Sequence, residues 1–334
     1  MSNWLITGGC GFIGSALVPR LSGSGHRVRL LDDLTVGQPA DLPVAPSPMS
    51  ANSSDWEMWS ELELVTGDIR DRDLALNVAR GADIIVHLAA NTGVQPSIEA
   101  PRFDCDVNVL GTLNYLEAGR ANGVRRFVFA SSGAPVGNVV PPVHEELAPH
   151  PMSPYGASKL AGEGYCSAFW HAFGVETVAL RFGNVYGAGS ARKGSVVARF
   201  IRRALAGQAL EIYGDGNQTR DFIYISDLLD GMLAAGEAPA MAGEVIQLAT
   251  GSEHTVGEVA ELIADLVRQR TGRIVSVVYR DPLLGEMRRS YADIGKARRL
   301  LGFVPKVTLA DGLARTLDYF LQPAMVSTSP PRTY

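Results

Sequence analysis

The stretch Thr7–Gly14, TGGCGFIG, constrains this chain more than any other. It follows the apolar run WLIT and leads into a helical pattern that begins at Ile13, so Gly8, Gly11 and Gly14 are spaced G-x-x-G-x-x-G across a strand-to-helix turn. Glycine is needed where backbone passes close to a pyrophosphate and where a helix packs on its strand, and the helix N-terminus offers free N–H groups and partial positive charge. Three glycines in a tight turn can also serve packing alone. What favours a dinucleotide is Asp32, 18 residues beyond Gly14 at the end of the second apolar run, RVRLLD. A carboxylate there accepts hydrogen bonds from an adenosine ribose. It also repels a 2′-phosphate, and no arginine follows in DDLTVG, so NAD is favoured over NADP. Asp33 competes for this role, but side chains alternate along a strand and Asp32 stands at the strand's end.

From Asn3 to about Leu180, further runs (LELV, DIIVHLA, RFVFAS, ETVALR) alternate with helical patterns. This rhythm predicts βαβ units and a parallel sheet, an α/β fold. Gln38 to Trp59 carries Pro39, Pro43, Pro46 and Pro48 within ten residues and reads as a surface excursion. After Arg181, the glycine-punctuated loops RFGNVYGAGS and IYGDGNQTRD separate helical patterns over 196–206, 226–235, 256–270 and 309–321, which predicts a smaller, irregular C-terminal lobe. The expected division is a cofactor domain at 1–181, to which 221–249 returns, a substrate lobe at 182–220 and 250–322, and a disordered tail at 323–334.

With 46% hydrophobic and 19% charged residues the chain buries a sizeable core. A net charge of −5, from 30 Lys+Arg and 35 Asp+Glu, and the lack of any basic run argue against nucleic acid and anionic membrane as partners. Three cysteines without C-x-x-C spacing and six histidines without a paired spacing point to neither a metal nor a disulfide framework. The N-terminus lacks a signal-peptide pattern and no apolar run reaches spanning length, so a cytoplasmic protein is expected.

A second set of residues carries chemistry. PYGASKLAG opens a helix, which puts Tyr155 and Lys159 at i and i+4 on one face. A free tyrosine has a pKa of about 10, so it acts as a base near neutrality only with help, which an ammonium one turn away and a positively charged nicotinamide ring supply. Ser131 and Ser132 end the fifth run, at the carboxyl edge, where a hydroxyl holds a substrate hydroxyl and passes its proton to the phenolate. GDIRD follows the third run at the same edge: Asp68 either reaches an adenine amino group or caps the helix that starts near Leu74.

TGGCGFIG, GDIRD, HLAA, ASSGAPVG, Tyr155-x-x-x-Lys159, RFGNVYG, GDGNQTRDFIY and LGFVP, in that order from about Asn3 to Leu321, resemble the extended short-chain dehydrogenase/reductase family. The resemblance is to its NAD-dependent nucleotide-sugar epimerases and dehydratases, of the UDP-glucose 4-epimerase type. It implies a Rossmann doubly wound sheet of seven or so parallel strands, a lobe closing over a UDP-sugar, and a homodimer. It adds Phe12, Ile13, Ile69, Leu88, Ala89, Ala90 and Asn108 to the cofactor contacts. It also implies Tyr155 as base, Lys159 as holder of the nicotinamide ribose, Ser132 as hydroxyl partner, and Asn184 and Arg220 as diphosphate ligands. Asn108 itself is better read as a buried polar group bonded to backbone.

Two departures stand out. Val136 replaces the tyrosine of the S-x-x-V-Y-G motif, and the family's Arg-x-Gly-Asp segment appears as DPLLGEM, with Leu283 near the arginine position. A second diphosphate arginine would then be Arg288 or Arg280. The dehydratases and decarboxylases of the family carry carboxylates just after the catalytic hydroxyl, whereas Gly133, Ala134 and Pro135 follow Ser132. The implied reaction is therefore 4-epimerisation, through oxidation at C4 and return of hydride to the opposite face. The alternative is a decarboxylase or 4,6-dehydratase, with Arg192 and Lys193 binding a uronate carboxylate; a more distant one is a non-catalytic NAD sensor. Ser290 aligns with the position near the sugar's C2 substituent, where a bulky tyrosine marks hexose-restricted epimerases, so a serine leaves room for an acetamido group.

Overall fold

The six apolar runs all become strands of one sheet. The computed structural model describes residues 1–322 except 54, 240 and 283–286; the expected tail at 323–334 lies outside the described residues, as does Leu283. The sheet contains β1 (Asn3–Thr7), β2 (Arg27–Asp32), β3 (Ser47–Met49), β4 (Leu62–Thr66), β5 (Ile84–His87), β6 (Arg126–Ser132) and β7 (Thr177–Phe182). Beyond the short lobe strands β8 (Asn184–Tyr186), β9 (Leu210–Tyr213), β10 (Thr219–Arg220) and β11 (Phe222–Tyr224), the chain returns as β12 (Glu244–Leu248) to complete it. The order is β12-β7-β6-β5-β1-β2-β4-β3, eight strands instead of the seven or so expected, and every neighbouring pair is parallel.

A parallel sheet must be covered on both faces, because each crossover lays a helix across it. Successive β1 side chains divide accordingly. Trp4 and Ile6 join one apolar core with Leu17, Val18 and Leu21 of α1 (Phe12–Gly23) and with Leu228, Leu229 and Met232, while Leu5 joins a second core with Leu74, Leu116 and Phe169. The second core is covered by α2 (Arg72–Val78), α5 (Gly111–Ala121) and α6 (Pro154–Phe173), preceded by the short α3 (Val94–Glu99), α4 (Pro101–Cys105) and a π-helical turn over Asp106–Leu110. α8 (Ile225–Glu237) packs on the sheet beside α1, and the lobe adds α7 (Val196–Leu205), α9 (Val256–Thr271), α10 (Gly295–Leu301) and α11 (Leu309–Phe320), with strands β13 (His254–Thr255) and β14 (Val277–Arg280). The sequence patterns do not foresee α10, whose seven residues bury only Ala297 and so carry no apolar stripe.

The proline-rich segment 38–59 is mostly exposed, as a surface excursion should be, yet it is fastened to the sheet. It contributes β3 at the sheet edge, and Trp56 and Trp59 are buried. The cause lies on β2. Register places Arg29 opposite Glu63, and its Nε donates to Glu63 Oε1 at 2.5 Å. Its other nitrogens donate to the carbonyls of Val78, Trp56 and Met58 at 2.9–3.1 Å, and the guanidinium stacks 4.1 Å from the Trp59 ring. A fully buried cation thereby ties the segment to the sheet. Arg29→Met should lower unfolding free energy by about 3–5 kcal/mol, since it strands a buried carboxylate and three carbonyls; urea denaturation reads this, and a loss below about 1 kcal/mol would mean that apolar packing alone holds the segment.

Candidate active site

Because all eight strands are parallel, the carboxyl ends of β1, β2, β4, β5, β6 and β7 open on one edge, and β1, between β2 and β5, marks the point where strand order reverses. Ligands bind there in doubly wound sheets. The three glycines of the first turn have different duties. Gly8 adopts a φ of +69°, and a Cβ on it would stand 2.8 Å from the Ala89 nitrogen; one on Gly14 would stand 2.5 Å from the Gly8 carbonyl oxygen. These two allow close approach of backbone to backbone, which is the packing role. Gly11 is different: a Cβ there meets only the Gly8 oxygen at 3.2 Å, and it is the N-cap of α1 with no side-chain cap among the described residues. The first-turn N–H groups of Phe12 and Ile13 consequently face outward without an intrahelical acceptor. A pyrophosphate fits this end.

Asp32, the last residue of β2, turns its buried carboxylate to this turn, accepting from Cys10 N at 2.9 Å and Leu34 N at 2.8 Å. Burial raises it above the usual carboxylate range, against the pull of those two backbone donors. Asp33 is exposed and accepts from the backbone and hydroxyl of Thr35, so the geometry separates the two candidates. Asp68 does not cap α2: Asp71 does, accepting from Leu74 N at 3.0 Å. The Asp68 carboxylate instead clasps Arg70, which holds it below its ordinary value. Beside it Ile69 is buried, and Leu88 and Ala89 bond the Thr7 carbonyl at 3.1 Å each, laying 88–90 along the glycine turn.

At the other end of the groove, Ser153 caps α6 by accepting from Gly156 N, with Pro154 in the first turn, so Tyr155 and Lys159 stand one turn apart. The two serines of β6 part company. Ser132 faces Tyr155 and accepts from Ala134 N at 3.2 Å, whereas Ser131 turns inward and donates to Glu163 Oε1 at 2.5 Å. Glu163 is gripped by Arg181 of β7 through two bonds of 2.8 and 2.7 Å, both side chains being buried. Lys159 is 3% exposed, donates to the Ala130 carbonyl at 2.9 Å and lies 6.0 Å from the Tyr155 ring. Desolvation pushes Lys159 down to about 8, with Asp104 and Glu163 opposing. In the protein alone burial is the larger influence on Tyr155 and holds the phenol above its ordinary value, with Ser132 working against it. Asn108 bonds Asn91 through both its amide oxygen and nitrogen, and also reaches Asp104 and Ser158. That is a backbone-bracing role. Neither Asp104 nor the Glu163–Arg181 pair carries a motif, because each is defined by what it touches across the fold; the only sequence signal is a charge inside a helical apolar pattern.

The lobe side assembles along the same edge. Ser132 is in register with Phe182, and Asn184, exposed two residues later, is in register with Phe222, next to Arg220 and Asp221. Arg220 donates to the carbonyls of Thr219 and Met287 at 2.8 Å, which brings the segment around Arg288 against it. Arg288 is well exposed and paired with Asp215 beside a cavity of about 270 Å³ lined by Tyr213, Gln218 and Met287, whereas Arg280 is committed to Glu211. Ser290 is half-buried, and Tyr291 and Asp293 flank a bridge to Val143, in the loop that leaves β6. Arg192 is paired with Asp41 of the segment beyond β2, and Lys193 packs over the Phe12 ring with its nitrogen on the Val185 carbonyl. Val136, in place of the motif tyrosine, is fully buried.

Comparison with known proteins agrees with this geometry. The profile of the NAD dependent epimerase/dehydratase family matches residues 4–249. The chain is 39% identical over 321 residues to a UDP-glucose 4-epimerase of Mycolicibacterium smegmatis, covering 95% of this chain and 97% of that one. Among solved structures it is similar to the UDP-glucose 4-epimerase of Thermotoga maritima with UDP-glucose, at 34% identity and a TM-score of 0.85, covering 95% of this chain and 98% of that one. It is likewise similar to the UDP-glucose 4-epimerase of Thermus thermophilus in complex with NAD, at 33% identity and a TM-score of 0.83, covering 95% and 98%.

Lys159→Met removes an ammonium that burial brings down to about 8, and should lose most of the turnover at neutral pH while keeping the fold. A variant that keeps more than about a tenth of the rate would take Lys159 out of the chemistry.

Proposed function

The chain belongs to the NAD-dependent epimerase/dehydratase family, and within it we propose a 4-epimerase acting on a UDP-hexose or UDP-N-acetylhexosamine. The observation that carries this reading is Ser132 facing Tyr155 beside a buried Lys159, with no carboxylate in the three residues that follow Ser132. The cofactor is NAD, which fits the uncapped end of α1 and the carboxylate of Asp32. When bound it supplies a hydride acceptor at the sugar's C4 and hands the hydride back.

The chain's residues do the rest. Backbone N–H groups of Gly11, Phe12 and Ile13 receive the pyrophosphate, Asp32 the adenosine ribose, and Asp68 and Ile69 the adenine, with Leu88, Ala89 and Ala90 lining the groove. Ser132 holds the C4 hydroxyl and Tyr155 takes its proton, while Lys159 keeps the phenolate electrostatically supported and reaches the nicotinamide ribose. Arg220 and Arg288 suit the diphosphate, because a guanidinium pairs bidentately with phosphate oxygens, and Asn184 adds a neutral donor. The resulting 4-keto sugar has no acid or base at 133–135 to expel water or carbon dioxide. Turning within the site, it presents its other face, and the returning proton from Tyr155 completes inversion.

The sheet unit 1–181 with 221–249 holds the cofactor in this account, and 182–220 with 250–322 holds the sugar nucleotide. A homodimer is part of the proposal. Phe103 (45% exposed), Leu110 (51%) and Tyr165 (38%) stand on α4, the π turn and α6, elements packed against one another, and apolar side chains so placed mark association surfaces. We also take a cytoplasmic setting as part of it; among the described residues, no helix is long and apolar enough to cross a membrane.

Incubation with UDP-glucose, UDP-N-acetylglucosamine and UDP-glucuronate, with products read by NMR, tests the reading. Tyr155→Phe should bind NAD and sugar nucleotide normally yet lose about 10²–10⁴ in kcat; a variant that keeps a tenth of the rate would rule out this base. Ser290→Tyr should abolish activity on the acetylated sugar selectively, by filling the volume beside C2. Equal loss on both sugars, or wild-type activity confined to uronates, would refute the pocket assignment.

A further inference from the structure

Asp104 is a buried charge near the catalytic residues that the mechanism above does not use and, unlike Glu163 and Arg181, it has no ion-pair partner among the described residues. It sits on α4, 1% exposed. Its Oδ1 accepts from Asn108 Nδ2 at 2.9 Å and from Asn91 Nδ2 at 3.3 Å, the acceptor-only pattern of a carboxylate. Its Oδ2 is buried with no partner among the described residues. Asn108 links it onward to Ser158 Oγ at 3.1 Å, the residue before Lys159 on α6. A half-satisfied buried carboxylate is costly, so its retention calls for a compensating cation. The other unbalanced charge in this pocket is Lys159, whose ammonium has a single carbonyl acceptor, Ala130.

We propose that Asp104 is the counter-charge of the catalytic lysine, a positioning residue on α4 whose half-satisfied carboxylate is linked through Asn108 to Ser158, next to Lys159 on α6. This rests on Tyr155 and Lys159 being the catalytic pair. The groups facing Lys159 are few. Glu163 and Cys166 come from its own helix; Glu163 is already neutralised by the bidentate Arg181, and burial pushes the Cys166 thiol up so that it stays neutral. His87, from β5, is pushed down to about 3 by burial and by Lys159 itself, so it too is neutral at working pH. Tyr155 faces Ser132 and Asp104. Asp104 is therefore the uncompensated negative charge acting on both residues. It favours the charged form of the lysine and disfavours the charged form of the tyrosine, so both titrate higher in its presence.

The two signs give a test that a bracing role cannot imitate. Asp104→Asn keeps the shape and the Oδ1 acceptor but removes the charge. In the NAD-loaded enzyme, the acidic and alkaline limbs of kcat/KM against pH should both move to lower pH, by about one unit. Phenolate absorbance, taken as the difference from Tyr155→Phe in the same background, should likewise appear at lower pH, a readout independent of turnover. Asp104→Glu, which restores the charge, should return both limbs towards the wild type. Should Asp104→Asn fail to fold, Asp104→Ser carries the same measurement. Limbs that stay in place while kcat falls, or that move in opposite directions, overturn the proposal. A Tyr155→Phe enzyme that still turns over would overturn the underlying reading instead.

Discussion

Lys159 places a positive charge where water does not reach, with one backbone carbonyl as its hydrogen-bond partner. Removing an ammonium from water costs several kcal/mol even after relaxation, and a site that keeps it charged has to supply opposing fields from fixed positions. Much of the architecture around α6 supplies them. The Ala130 carbonyl comes from β6, and Asp104 comes from α4 through the Asn108 brace. Glu163, one turn further along α6, would be a second source were it not held by Arg181 from β7. The chemistry at Tyr155 depends on how this balance stands.

The sheet makes the balance possible because parallel strands bring every carboxyl end to one edge. A glycine turn, the Asp32 carboxylate and a serine hydroxyl arise from β1, β2 and β6, far apart in sequence, yet face one groove. On the lobe side the register carries that groove onward from Ser132 through Phe182 and Asn184 to Arg220. Arg192 closes the far side by pairing with Asp41, which joins the lobe to the segment beyond β2. In the proposed function, cofactor and sugar nucleotide meet along this groove.

The parts of this site written in local spacing were legible in the sequence. Gly8, Gly11 and Gly14, the Tyr155–Lys159 pair and the strand rhythm announce themselves because each depends on period or turn chemistry. The choice between Asp32 and Asp33 followed from strand alternation, and the structure places only Asp32 at the glycine turn. What stayed hidden is tertiary. Arg29 turns a proline-rich segment into a sheet edge through contacts with residues 27 to 49 positions away, and composition alone suggested a loop. Asp71, not Asp68, caps α2, a distinction of three residues that periodicity cannot make. The direction of the Tyr155 shift depended on burial, which spacing does not report.

The central claim is that hydride leaves C4 and returns to C4 within one turnover. UDP-glucose carrying deuterium at C4 tests it directly. The account requires a product inverted at C4 that retains the label at C4, with none in solvent and none in released NADH. Label recovered at C6, as elimination of water would give, or accumulating in free NADH, would contradict it.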